Sequence, residues 1–298
     1  MQLHPYPSSV IETKTLKEQV KQLDLSQPHI MGILNVTPDS FSDGGKFTTT
    51  EKVLDHCEQM IREGASIIDI GGESTRPNAT PVDDQEEIRR VVPVVEAIRQ
   101  RFGDELWLSI DTSSPQVINQ AVKAGADIWN DVRALTRVGA PEMAADLDIP
   151  VVLMHMRGSP TTMAAQAVYE DVTQEVISEL KQRIDTALRA GVKRNKIIID
   201  PGFGFAKDYQ HHKTLLNQLN QLHQLQLPIL FGISRKRFLG EVLNKTQLQA
   251  FDNNIATDRD GVGMAAALLA YLQGVSIVRT HNVGLTMQGL ALWQQLSQ

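Results

Sequence analysis

The chain has 298 residues, 42% hydrophobic and 21% charged, with a net charge of −6 and a pI of about 5.8. That length suits one large or two ordinary globular domains with a sizeable core. It holds no long basic run, Arg235-Lys236-Arg237 being too short for a basic tract, which argues against a nucleic-acid partner. Cys57 is the single cysteine, so an internal disulfide and a thiolate metal cage are both excluded. No signal-peptide core opens the chain and no apolar run approaches ~18 residues, so a cytoplasmic protein with no membrane partner is expected.

Residues 1–28 are polar and mixed and read as a lead-in covering one end of the fold, with a short helix or hairpin over Thr15–Leu25. Residues 29–298 then repeat one pattern. A short β-branched run ends in a polar residue, a Gly- or Pro-bearing loop follows, and a helix-period segment closes the unit. The first unit, Ile30–Asn35, carries the loop T-P-D-S-F-S-D-G-G-K-F, in which Phe41 and Phe47 sit among turn formers. An aromatic in such a loop either packs beneath it or covers a ligand. The later units begin at Ile67–Gly71, Leu106–Asp111, Asp127–Asp131, Val151–His155, Ile197–Pro201, Pro228–Ile233 and Val275–His281. A further helix, Thr257–Leu272, lengthens the last connection. Strand–helix alternation implies a parallel sheet with crossover helices, and about eight units fit an α/β fold of the closed (β/α)8 TIM barrel type, as a single domain. The competing doubly wound sheet lacks support, because no Gly-x-Gly-x-x-Gly follows a strand.

The strand ends carry the chemistry. Side chains two apart share a face, which aligns Ile33 with Asn35, Ser109 with Asp111, Ile128 with Asn130, Ile198 with Asp200, and Ile277 with Arg279 and His281. In a barrel such ends form the active-site rim. Asp111, Asn130 and Asp200 suit paired N–H donors, as on an aminopyrimidinone edge. Two carboxylates also suit a hard metal or a general acid–base pair. Arg279 and His281, with Asn35, suit an anion such as phosphate. Ser234-Arg235-Lys236 opens a helix whose free N–H groups suit an anion too. Glu73-Ser74-Thr75-Arg76-Pro77 forms a second polar loop beside the first.

Other residues carry less. His211-His212 are poorly spaced for two ligands on one helix face and read as solvated surface. His155 reads equally as a site residue or a satisfied core histidine, Met154 as a ligand contact or core filler, and Cys57 as inert packing. Asp260-Gly-Val-Gly-Met264 has no preceding strand and is not read as a nucleotide loop.

The motifs M-G-I-L-N-V-T-P-D-S-F-S-D-G-G, I-I-D-I-G-G-E-S-T-R-P, S-I-D-T, N-D-V, D-P-G-F-G-F, S-R-K and R-T-H, in this order, resemble the dihydropteroate synthase family from about Leu23 onward. The resemblance implies condensation of 6-hydroxymethyl-7,8-dihydropterin diphosphate with 4-aminobenzoate, assisted by Mg²⁺, in a homodimer. It implies that Asp111, Asn130, Asp200, Lys236 and Arg279 hold the pterin in a slot lined by Met154, Phe205 and Gly232. Asn35, Arg279 and His281 would take the diphosphate, with Asn35 also near Mg²⁺. Phe41, Thr75, Pro77 and Arg237 would meet the aminobenzoate, and Lys236, Asp43 and Arg76 would act in catalysis. One position departs: the family usually has Ser where this chain has Arg237, which predicts retained catalysis with shifted affinities for aminobenzoate and its sulfonamide analogues. Two rivals share the pterin-binding logic, a pterin-dependent methyltransferase and a catalytically silent binder. The diphosphate set argues against the first, and the retained loop residues Asp43 and Arg76 against the second.

Overall fold

A computed structural model describes residues 10–36, 46–73, 82–159, 161–246, 251–252 and 254–296. Strands β1 (Val10–Lys14) and β2 (Val20–Asp24) form an antiparallel hairpin. Eight parallel strands follow: β3 (His29–Asn35), β4 (Ile67–Gly71), β5 (Trp107–Asp111), β6 (Ile128–Asp131), β7 (Val151–Met154), β8 (Ile197–Asp200), β9 (Leu230–Phe231) and β10 (Ile277–Thr280). From β3 to β8 each pairs with the next in sequence, and β10 pairs with both β9 and β3. Ile199 bridges to Ile229, just ahead of β9, so the ring closes as a (β/α)8 barrel.

The outer layer comprises α1 (Lys46–Arg62), α2 (Asp84–Phe102), α3 (Pro115–Lys123), α4 (Ala140–Leu147), α5 (Val172–Ala190), α6 (Tyr209–Asn217), α7 (Arg237–Lys245), α8 (Asp260–Leu272) and α9 (Val283–Leu296). Their starts are written locally. Asp83, Ser114, Asp171 and Asp208 each accept a backbone N–H at the first turn of α2, α3, α5 and α6. Strands such as β4 and β8 are buried along their whole length, because helices cover the outer face and side chains fill the inner one.

Inside the barrel the layers differ in kind. The lowest is apolar: Met31, Ile67, Trp107, Ile128, Val152, Ile198, Leu230 and Ile277, one from each strand. Ile11, Leu23 and Leu25 of the hairpin region join this cluster from below, so the lead-in stoppers the N-terminal end of the barrel. Of the two forms expected for Thr15–Leu25, the hairpin is the one found. Lys21 fastens it, donating to Leu106 O at 2.7 Å and to the buried Asp127 carboxylate at 3.0 Å. Arg99 of α2 donates to the same carboxylate at 2.5 Å. A stopper at this end leaves the opposite rim as the accessible mouth.

Candidate active site

Above the apolar layer the interior turns polar. Asn35, Gly71, Asp111 and Asn130 lie level across β3 to β6, and Met154 lies level with Asp200 across β7 and β8. Two residues lower on β4, on the same face as Gly71, Asp69 is fully buried. It accepts from Ser109 Oγ at 2.6 Å, from Asn130 Nδ2 at 3.2 and 3.3 Å, and from Arg279 Nε at 2.6 Å. Arg279 Nη2 donates onward to Asp111 Oδ2 at 2.7 Å. Asp69 thus fixes two site residues, Asn130 and Arg279, together with Ser109. Burial works against the Arg279 guanidinium, but Asp69 and Asp111 outweigh it and hold it charged. Burial raises the Asp111 carboxyl above the usual carboxylate range, with Arg279 pulling the other way.

Across the barrel, Asp200 Oδ1 accepts from the Gly202 N–H at 2.7 Å. Its Oδ2 faces Gly232, where a Cβ would lie 3.6 Å from that oxygen and 3.8 Å from Arg279 Cβ and Cδ. A side chain there would stand between the Asp200 carboxylate and the stem of Arg279, so the glycine keeps the slot between them clear. Burial raises the Asp200 carboxyl too, opposed first by Lys236. Met154 and Phe205 pack together with Val132, Met163 and Ala206 at the edge of this slot. Lys236 Nζ lies 4.4 Å from the centre of the Phe205 ring and donates to Phe203 O. Its ammonium is buried, which brings its pKa down to about 8 despite the pull of Asp200.

The anion side is built from the ends of β9 and β10. Ser234 Oγ bonds His281 Nδ1 at 3.0 Å and accepts the His281 N–H at 3.1 Å. Arg235, at φ +58°, turns away from the mouth and grips Asp260 at the start of α8 through two bonds of 2.8 Å. Asn282 Nδ2 donates to the same carboxylate at 3.1 Å. The Asp260 segment, discounted as a nucleotide loop, therefore clamps the two anion-side strand ends. Lys236 is the N-cap of α7 and Arg237 its first residue. The Arg237 side chain is 91% exposed and pairs with Glu241 at 3.1 Å.

Asn35, Asp111, Asn130, Met154, Asp200, Phe205, Gly232, Lys236, Arg279 and His281 all come from strand ends or the turns that follow them. Phe41, Asp43, Thr75, Arg76 and Pro77 lie outside the described residues. Two histidine readings change. His212 is not solvated surface: it is buried, accepts the Gly204 N–H at 2.7 Å and stacks on Phe238 at 5.1 Å. His211 Nδ1 accepts the Asp208 N–H at 3.2 Å in a capping box. His155 is a satisfied buried histidine, bonded to Glu179 through Nε2 at 3.1 Å and to Lys207 through Nδ1 at 2.9 Å. Cys57 is buried and its thiol pushed up to about 12 by desolvation, in keeping with inert packing.

Sequence reasoning missed Asp69, Lys207 and Asp260. Asp69 did leave a signal. A carboxylate between isoleucines, on a strand covered on both faces, must face a partner, and its face is that of Gly71.

Comparison with known proteins follows the same lines. The profile of the family described as pterin binding enzyme matches residues 31–281. A curated dihydropteroate synthase of Haemophilus influenzae is 49% identical over 275 residues, 92% of this chain and 96% of that one. The Escherichia coli dihydropteroate synthase is 46% identical over 272 residues, 91% of this chain and 93% of that one. Among solved structures, a Xanthomonas albilineans dihydropteroate synthase with 4-aminobenzoic acid has a TM-score of 0.86 at 42% identity, covering 97% of this chain and 98% of that one. A Yersinia pestis dihydropteroate synthase with a sulfonamide drug complex has a TM-score of 0.85 at 42% identity, covering 96% and 99%.

Proposed function

We infer, from a chain that belongs to the pterin binding enzyme family as one of its dihydropteroate synthases, which of its residues carry each part of the reaction. The enzyme is a transferase of folate biosynthesis. It joins 6-hydroxymethyl-7,8-dihydropterin diphosphate to 4-aminobenzoate, forming 7,8-dihydropteroate and diphosphate. The observation that carries the assignment of parts is the slot over Gly232, walled by Asp200 on one side and by Arg279, held by Asp69 and Asp111, on the other.

In this reading Asp111, Asn130 and Asp200 accept and orient the pterin edge. Arg279 stacks over the ring, Lys236 bonds it from the side of Phe203, and Met154, Phe205 and Gly232 shape the slot. The exocyclic C–O bond breaks first, its electron pair leaving with the diphosphate. The methylene cation is delocalised into the pterin, and the buried carboxylates stabilise it. Asn35, Arg279 and His281 hold the departing diphosphate. The arylamine nitrogen then attacks the methylene and loses a proton. Arg237 lies at the rim for the aminobenzoate carboxylate. Phe41, Thr75 and Pro77 complete that pocket, and Asp43 and Arg76, with Lys236, act on the reacting groups and exclude water.

Mg²⁺ fits this donor set. Among the described residues no cluster of three or more His, Cys, Asp or Glu could cage a metal. Mg²⁺ commonly keeps several waters and takes one or two protein oxygens plus substrate phosphates. The Asn35 amide, at the strand end over Gly71, offers such an oxygen. The ion would neutralise charge on the leaving diphosphate.

We take the enzyme to be cytoplasmic; no described helix is long and apolar enough to cross a membrane. We read residues 29–298 as one barrel domain and residues 1–28 as its lead-in. A homodimer is supported by the face of α8 and α9, where Leu269, Leu272 and Leu292 are exposed. α9 contains no charged residue and α8 only Asp260, the depletion typical of an interface core.

The test is turnover with the pterin diphosphate, 4-aminobenzoate and Mg²⁺, following both products. Dihydropteroate and diphosphate should appear at equal rates and be lost in Lys236→Ala and Asp200→Ala. Diphosphate alone would place the fault in the aminobenzoate pocket, with Arg237 the first residue to revert. Pterin binding without either product would remove the assignment.

A further inference from the structure

Behind the pterin slot lies a buried lysine that the mechanism above does not use. Lys207 is 9% exposed. Its Nζ donates to His155 Nδ1 at 2.9 Å, Phe205 O at 3.1 Å and Gly202 O at 3.2 Å. The chain between Asp200 and Lys207 is a tight coil in the left-handed region at Gly202, Gly204 and Ala206, with φ of +70°, +83° and +47°. Its carbonyls turn inward, where only donors can satisfy them. Lys207 takes those of Gly202 and Phe205, and Lys236 takes that of Phe203. Its amides are taken as well, Gly202 N–H by Asp200 and Gly204 N–H by His212. One end of the coil therefore sets Asp200 and the other sets Phe205.

The proton count fixes the state of Lys207. Glu179 accepts from His155 Nε2, so a neutral His155 offers Nδ1 as an acceptor. Three acceptors around Nζ then need three N–H donors, which only the ammonium supplies. The ammonium faces Asp200 and Glu179, which favour its charge, and Lys236 and Arg157, which oppose it; His155 stands neutral between. Glu179 is two-thirds buried on α5, and its described hydrogen-bond partners are His155 and Arg157.

We propose that Lys207, oriented by the Glu179–His155 pair, is a positioning residue for the pterin subsite, holding the Gly202–Ala206 coil so that Asp200, Phe205 and Lys236 stand at the right spacing. The proposal rests on the pterin-slot assignment above. Loss of the ammonium leaves Phe205 O without that donor and Gly202 O with only the Phe205 N–H, and lets the coil relax, whereas Arg237 stands in solvent and keeps its pair with Glu241. Burial brings the Lys207 pKa down to about 7, so its hold weakens as pH rises past neutrality.

The experiment is steady-state kinetics on the parent, Lys207→Met and Glu179→Gln between pH 6 and 9, with melting temperatures measured alongside. Parent turnover tests the functional assignment independently of both variants. Misplacing a binding group through a relaxed supporting coil is expected to cost roughly 10-fold or more in binding. The KM for the pterin diphosphate should rise by that factor in Lys207→Met and lose the part of its pH dependence centred near 7, the step near 8 from Lys236 remaining, with the aminobenzoate KM within about twofold of the parent. In Glu179→Gln, which keeps an acceptor for His155, the pH-dependent rise in pterin KM should begin at lower pH. If Lys207→Met does not fold, Glu179→Gln decides alone. A pterin KM in Glu179→Gln that matches the parent at every pH overturns the proposal. So does a folded Lys207→Met in which both KM values rise together or neither moves.

Discussion

Asp69 makes more of the site than any residue the substrate is proposed to touch. Its carboxylate is wholly buried and engages Ser109, Asn130 and Arg279. Replacing it by Ala leaves Arg279 Nε, the Ser109 hydroxyl and the Asn130 amide without this acceptor, with only Asp111 left to pair the guanidinium, at a cost of about 3–5 kcal/mol. We expect Asp69→Ala to lower the urea midpoint accordingly and to abolish measurable pterin binding by calorimetry. Normal stability with a weakened pterin would place Asp69 outside the frame. Arg237 is the opposite case. Its side chain is in solvent and its pair with Glu241 is exposed, so Arg237→Ser should change stability by less than about 0.5 kcal/mol. A guanidinium at the rim should nonetheless draw a carboxylate. The parent should bind 4-aminobenzoate a few-fold more tightly than Arg237→Ser, with the advantage shrinking at high salt. Equal affinities at low salt would remove any role for that charge. At this scale the strand-end residues were legible because polarity there breaks an apolar run. Asp69 and Lys207 were harder to see because their partners come from distant strands and turns, and pairing across a barrel leaves no mark in local spacing.

At the scale of elements, the β8–α6 turn is the least forgiving. A Cβ on Gly202 would sit 1.8 Å from the carbonyl oxygen of His155, and its φ of +70° already disfavours any side chain. No side-chain rotation relieves a backbone clash. Gly202→Ala should therefore lose several kcal/mol in a denaturant melt, roughly 3 or more, and most of its activity. A melt within 1 kcal/mol of the parent would mean the turn can move. The units were legible as strand, loop and helix because caps such as Asp83, Ser114 and Asp171 stand just ahead of the helices they start. The burial of His212 was not legible. Adjacent histidines on a polar helix face look solvated until the Phe238 ring of α7 is set against one of them.

For the whole molecule, two buried neutral histidines weaken the fold in acid, and the Asp111 and Asp200 carboxyls, raised by desolvation, oppose them over part of the same range. Desolvation lowers His155 and His212 from 6.5 to about 4 each. Between those limits the unfolded chain binds protons that the folded chain refuses, so folding stability falls as pH drops from 6.5 to about 4. The loss is on the order of 3 kcal/mol per histidine. Carboxylates held low by partners, such as Glu179 and Asp260, lose their contribution only further down. Urea midpoints measured across this window should slope steeply in the parent and flatten in a His155→Gln, His212→Gln double variant. A slope unchanged in the double variant would assign it to other groups.

The hairpin beneath the barrel bears on the order of assembly. Its apolar side chains belong to a cluster with one residue from every barrel strand, Ile277 of the last strand among them. Its backbone carbonyl at Glu12 waits for Lys196, and His29 O waits for Tyr271. On the ribosome this segment emerges ahead of the barrel strands, yet the floor it rests on is finished only when β10 has been translated. Such long-range closure slows folding and leaves early apolar surface exposed meanwhile. A stretch made before the barrel is thus among the last that can find its place, and a chain halted before β10 should carry an undocked hairpin open to protease.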